Sequence, residues 1–125
     1  MHLLVMSSLQ SGGEWVAISR LLKALKKSAP ETRIYGILKG TQENIPVPQV
    51  FDACQILRPV RTAPPLSFLK RLYCEFTLMR NAIRNELTNH PEIRHAVTTD
   101  YLFGLAVTSI RTNCKIYRIY NYHGI

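Results

Sequence analysis

Gly12-Gly13 stands between an apolar run, Leu3-Leu4-Val5-Met6, and a strongly patterned stretch that starts at Trp15. Strand, glycine turn and helix N-terminus together do chemistry with backbone alone. Glycine lets the main chain approach a ligand closely, and the first helical turn offers N–H groups and positive potential to an anion. A phosphate-bearing ligand is the expectation. Asp100 and His123 join the pair, because each directly follows a strand-like segment. If those strands run parallel to the first, both residues emerge at the edge that carries Gly12. A carboxylate or imidazole there can bind sugar hydroxyls or orient a reacting group. Each residue also has a plainer reading. Gly12-Gly13 can be a structural turn, Glu14 a first-turn dipole partner, Asp100 a helix N-cap and His123 a loop histidine.

Other chemistries are excluded by their missing spacings. The dinucleotide fingerprint G-x-G-x-x-G and the P-loop G-x-x-x-x-G-K-[ST] are absent. So is the nucleophile elbow G-x-S-x-G. Cys54, Cys74 and Cys114 form no C-x-x-C and no Cys/His pair, and are expected to be reduced and buried. His2, His90 and His95 form no recognisable constellation, and no metal site is expected.

The elements that must position these residues alternate. Trp15, Ile18, Leu21, Leu22 and Leu25 recur at helical spacing, and Pro30 ends that helix. Arg33 to Leu38 is a short apolar strand, Gly40 to Pro48 a loop, and Val50 to Leu57 a weaker strand. A long helix begins near Leu66-Ser67, with Leu69, Leu72, Tyr73, Phe76, Met79, Ile83 and Leu87 as its apolar stripe, and ends at Asn89-His90-Pro91. His95 to Thr99 is a strand, Tyr101 to Ile110 a buried helix, and Cys114 to Tyr122 a last strand. Strands alternating with helices predict an α/β fold: a Rossmann-like open parallel sheet with helices on both faces, one domain over residues 1–125. The strand that ends at His123-Gly124-Ile125 lacks the crossover helix expected next, so a truncated domain is favoured.

Composition narrows the partners. The chain has 125 residues, 46% of them hydrophobic and 19% charged, enough for a core. Its net charge of +8 favours anionic partners. Between Arg58 and Arg84 stand Arg58, Arg61, Lys70, Arg71, Arg80 and Arg84 against Glu75 alone. That bias fits a solvated helix face, or docking on anionic lipid headgroups or an anionic substrate. Tyr117, Tyr120 and Tyr122 alternate with Lys115 and Arg118 as a strand would, so nucleic acid is not expected. The apolar run Tyr101 to Ile110 is far short of the ~20 residues that span a bilayer, which points to a cytoplasmic or peripheral location.

The order of segments resembles a known family. An apolar strand, the loop Ser8-Leu9-Gln10-Ser11-Gly12-Gly13, the helix Val16-Ala17 to Leu21-Leu22-Lys23-Ala24-Leu25, and a strand closing on Tyr122-His123-Gly124 are similar to the N-terminal half of GT-B glycosyltransferases of the group-one, glycogen-synthase-like retaining class. The middle, Gly40 to Asn89, matches in layout only. The resemblance implies sugar transfer from a nucleotide-diphosphate donor to a glycan or lipid-linked acceptor. It implies Gly12 and Gly13 beside the donor phosphates, His123 near the transferred sugar as catalytic residue, and Asp100 facing the acceptor. It implies no metal or cofactor beyond the donor. The family's second nucleotide-binding domain and its glutamate pair are missing, so the chain alone is expected to be inactive and to need a nucleotide-binding C-terminal half, either joined to it or separately encoded. The alternatives are a non-catalytic accessory subunit of such a split enzyme, or another Rossmann-like nucleotide-binding protein.

Overall fold

The computed structural model describes residues 1–8, 13–40, 49–58, 68–110 and 113–119. Its elements alternate as β1 (His2–Ser8), α1 (Gly13–Ser28), β2 (Arg33–Lys39), β3 (Ala53–Leu57), α2 (Phe68–Asn89), β4 (His95–Thr98), α3 (Tyr101–Thr108) and β5 (Lys115–Arg118). The sheet has the order β3-β2-β1-β4-β5, and every neighbouring pair is parallel. The α/β class and the open parallel sheet are as the alternating pattern predicts.

β1 and β2 are continuous apolar runs because both of their faces are covered. On one face Leu3, Val5, Ile34 and Leu38 meet Ile18 and Leu22 of α1. On the other, Leu4, Met6, Tyr35 and Ile37 meet Met79 and Ile83 of α2 and Phe103, Ala106 and Val107 of α3. The connection from β1 steps one way along the sheet and those from β3 and β4 step the other. Right-handed crossovers therefore place α1 alone on one face and α2 with α3 on the other.

Four expectations need correction. β3 starts at Ala53 rather than Val50. Val50 and Phe51 are buried, but in the turn before it, where Phe51 covers Gly36. A Cβ on Gly36 would stand 2.8 Å from two Phe51 ring carbons, so the ring takes the space that glycine leaves. Leu21 is 52% exposed, because one helix over one sheet face buries a narrower stripe than Trp15 to Leu25 suggests. The cysteines, expected to be buried, are only half-buried. Burial pushes the Cys54 thiol up to about 11, helped by Glu86. The fourth concerns α2. Its 22 residues span about 33 Å, against about 23 Å for the seven-residue β1. Phe76, Met79, Ile83 and Leu87 pack as expected, but Leu69, Leu72 and Tyr73 run past the sheet and are exposed.

β5 is the edge strand beyond β4. Lys115 and Tyr117 lie on the α1 side, where Tyr117 stacks on His95 at 6.0 Å and Lys115 sits 5.5 Å from the Tyr117 ring centre. Arg118 lies on the opposite side, exposed like Lys115. The rest of the tyrosine-rich segment, 120–125, lies outside the described residues.

At the start of the strands Asp52 joins three elements. It accepts from the Ile34 amide at 2.8 Å, Lys26 Nζ at 2.9 Å and Arg33 at 3.4 Å. Burial by itself would raise its pKa, but the Ile34 amide and the two cations outweigh it and hold the carboxyl below its ordinary 3.8. A depressed carboxyl contributes stability that is present above the unfolded value and is lost as pH falls through the folded one. Asp52→Asn should therefore cost about 1–2 kcal/mol at neutral pH, as for a lost charge-assisted hydrogen bond. In urea melts the gap from wild type should close below about pH 4. A gap unchanged at acid pH would show that the ionised carboxylate is not what holds the three elements.

Candidate functional site

In an open α/β sheet the ligand crevice forms outside the carboxyl ends of the strands, where successive connections leave for opposite faces. Here that point lies between β1, whose connection leads to α1, and β4, whose connection leads to α3 on the other face. The residues at this point turn polar after two apolar strands. β1 ends in Ser7-Ser8 and β4 runs into Thr98-Thr99-Asp100.

Ser7 and Thr99 share the α1 side of the sheet. Their hydroxyls, 92 residues apart in sequence, lie 2.7 Å from each other. Both are buried, Ser7 completely. The Thr99 amide donates to the Met6 carbonyl at 3.2 Å, which extends the β1–β4 contact beyond the ladder. Thr98, on the α3 side and fully buried, donates its hydroxyl to the Asp100 carbonyl at 3.0 Å. The two strand ends thus carry three buried hydroxyls, Ser7 paired with Thr99 and Thr98 bonded to the Asp100 carbonyl. In a hydroxyl–hydroxyl pair one hydrogen is used and one remains as a donor.

Asp100 is an N-cap. Its Oδ1 accepts from Leu102 N at 2.7 Å and Phe103 N at 3.3 Å. An extended backbone at Asp100 and an Ala- and Leu-rich run behind it make this the local fold. The cap occupies the amides at the start of α3. α3 is closed by its own carboxylate; α1 begins at Gly13, and residues 9–12 before it lie outside the described residues. Gly12 and His123, the other residues of the expected site, lie outside the described residues.

Lys39 closes β2 on the same edge. Its Nζ is 3.4 Å from Glu75 Oε2 of α2, with about three quarters of each side chain buried. This cross-link was not legible in the sequence, since it depends on α2 crossing above the end of β2.

The opposite edge holds a second cluster. His2 Nδ1 lies 3.3 Å from Tyr35 Oη and 3.9 Å from Glu92, while His90 lies 3.7 Å from Glu86 and 3.8 Å from Glu92. The Tyr35 ring stacks on His90 at 4.2 Å. Burial and then the Glu92 carboxylate push the Tyr35 phenol up from its usual value. The sequence expectation kept His2 and His90 apart, and 88 residues of separation hide the pairing. The cluster ties β1, β2 and α2 together far from the switch point. Among the described residues no group of three or more histidines, cysteines or carboxylates is placed to hold a metal ion. Nearby, a cavity of about 290 Å³ is lined by Arg84, Arg94, Thr88 and Asn113 beneath the C-terminal ends of α2 and α3. Helix C-termini carry negative potential, which these arginines offset.

Comparison with known proteins corrects the family assignment. No family model and no curated protein matches the sequence. Among solved structures, 93% of the chain superposes on 90% of the C-terminal domain of a hydrogenase from Pyrococcus furiosus, with a TM-score of 0.62 and 10% sequence identity. At that identity the likeness is one of fold. It overturns the resemblance to the group-one GT-B glycosyltransferases. The strand, Gly-Gly and helix segments on which that resemblance stood are shared by Rossmann-like sheets generally. The roles it implied for His123 and Asp100 lose their basis with it. Among the described residues no helix is long and apolar enough to cross a membrane.

Proposed function

We propose that this chain is a Rossmann-like nucleotide-binding domain that takes a phosphate-bearing nucleotide at the carboxyl edge between β1 and β4. The observation that carries the reading is the buried Ser7–Thr99 hydroxyl pair at the switch point of a β3-β2-β1-β4-β5 sheet. A nucleotide there would lay its phosphates against the first turn of α1, whose amides and dipole favour negative charge. The remaining hydroxyl hydrogen of the pair would donate to the ligand. Lys39 would add positive charge at the end of β2, tempered by Glu75. α3 is the poorer anion site, because Asp100 already fills its first turn.

Calorimetric titration of the chain with a panel of adenine and uridine nucleotides tests this. At least one nucleotide diphosphate or dinucleotide should bind, and the same nucleoside without phosphate should bind at least about tenfold more weakly, since charge-assisted hydrogen bonds to phosphate are lost. Equal affinity for nucleoside and nucleotide, or no binding across the panel, would refute the reading.

A further inference from the structure

The cavity of about 290 Å³ at the amino edge of the sheet carries two cations that its walls do not use up. Arg84, Leu87 and Thr88 line it from one face of α2, at the i, i+3, i+4 spacing that stacks side chains. Arg94 lines it from the turn that enters β4, and Asn113 from the turn that enters β5. Arg80, one turn before Arg84 on the same face, donates to Ser109 Oγ at 3.0 Å. Arg84 and Arg94 have no such hold. Among the described residues neither guanidinium pairs with a carboxylate. The acids next to them in sequence face elsewhere: Glu86 lies 3.7 Å from His90, and Glu92 lies 3.8 Å from His90 and 3.9 Å from His2.

The helix ends above the cavity account for part of this charge. Each C-terminus is worth roughly half a negative charge, so α2 and α3 together offset about one of the two cations. The offset is through space, because the carbonyls there have other donors. The His90 amide donates to Glu86, Ser109 to Leu105 and Ile110 to Val107, while Thr88 Oγ1 donates to the Arg84 carbonyl at 2.8 Å. The guanidinium forks are therefore left for something else, and such forks match the oxygens of phosphate and carboxylate in bidentate pairs. The rest of the wall suits the body of a small molecule. Ile93, only 2% exposed, and Leu87 are apolar. The Thr88 oxygen has spent its hydrogen and can accept from a ligand hydroxyl, and the Asn113 amide can donate or accept. A volume near the lower bound of ligand pockets, about 300 Å³, limits the occupant's size. We propose that this cavity binds a small organic oxyanion, whose phosphate or carboxylate sits on Arg84 and Arg94. The site lies at the edge opposite the nucleotide crevice and does not depend on it.

Amide NMR of the intact chain tests the proposal, with inorganic phosphate and succinate as probes at constant ionic strength. At least one probe should shift the Thr88, Arg94 and Asn113 amides along a saturating curve, and the tighter of the two names the ligand class. Arg84→Gln/Arg94→Gln should weaken that binding by about tenfold or more, as charge-assisted hydrogen bonds are lost. Both arginines are exposed, so the melt of this variant without probe should stay close to wild type. Arginines that serve the helix ends alone would give no saturable shift in the wild type with either probe, and that result would overturn the proposal. Wild-type affinity in the double variant would also overturn it. So would shifts confined to Ser7 and Thr99, which would place the anion in the nucleotide crevice. The wild-type titration decides by itself if the variant folds poorly.

Discussion

Phe103→Ala should destabilise the protein by about 3–5 kcal/mol, the usual cost of emptying a buried phenylalanine site. Phe103 is completely buried and is, among the described residues, the largest side chain at that level of burial. It belongs to the buried cluster that also holds Leu4 and Met6 of β1, Ala96 of β4 and Ile83 of α2. Domains of this size are stable by only about 5–15 kcal/mol, so one substitution removes a large share. Its amide also donates to the Asp100 cap, so the start of α3 should loosen with the core. Urea unfolding is the measurement: the midpoint should fall steeply while the slope against denaturant stays near that of wild type. A loss under about 1 kcal/mol would mean that neighbours collapse into the cavity and that α3 is held by other contacts.

Thr99→Val should lower nucleotide affinity by about tenfold or more, as for loss of one hydrogen bond to a charged group. Valine matches the shape of threonine but leaves the completely buried Ser7 hydroxyl without its 2.7 Å partner. The single variant should therefore also lose about 1–3 kcal/mol of stability. Ser7→Ala/Thr99→Val separates the two effects. Removing both hydroxyls leaves no orphaned polar group, so stability should recover toward wild type. Binding should not recover, since no hydroxyl remains for the ligand. Recovery of both together would make the pair a packing device and move the ligand elsewhere. If the double variant stays as unstable as the single one, the hydroxyl pair itself is what holds β1 to β4.

Legibility in the sequence followed the range of the interactions. β1 and β2 declare themselves because strands covered on both faces must be apolar throughout, as in Leu3 to Met6 and Ile34 to Leu38. The Asp100 cap is equally local, an aspartate directly before an apolar helix. Phe51 misleads because its burial comes from covering Gly36 in the neighbouring strand rather than from strand pairing. Leu69, Leu72 and Tyr73 mislead because periodicity shows which side of a helix is apolar, not how far the sheet beneath it extends. Ser7 and Thr99 were invisible, since ordinary serines and threonines become a site only when strand order brings them together. Gly12-Gly13 suggests a ligand edge from its pattern alone, and Gly12 lies outside the described residues. Local pattern identifies such an edge in many families and cannot tell one from another.

β5 carries one more consequence. Among the described residues β5 has a strand neighbour on one side only, and such an edge strand presents outer backbone amides and carbonyls for pairing. Here that rim bears Lys115 on one face and Arg118 on the other, both exposed. Two copies brought rim to rim would confront cation with cation, and zippering into longer sheets would be opposed before the first amide could pair. Lysine and arginine on an edge strand thus act as a guard against pairing between copies.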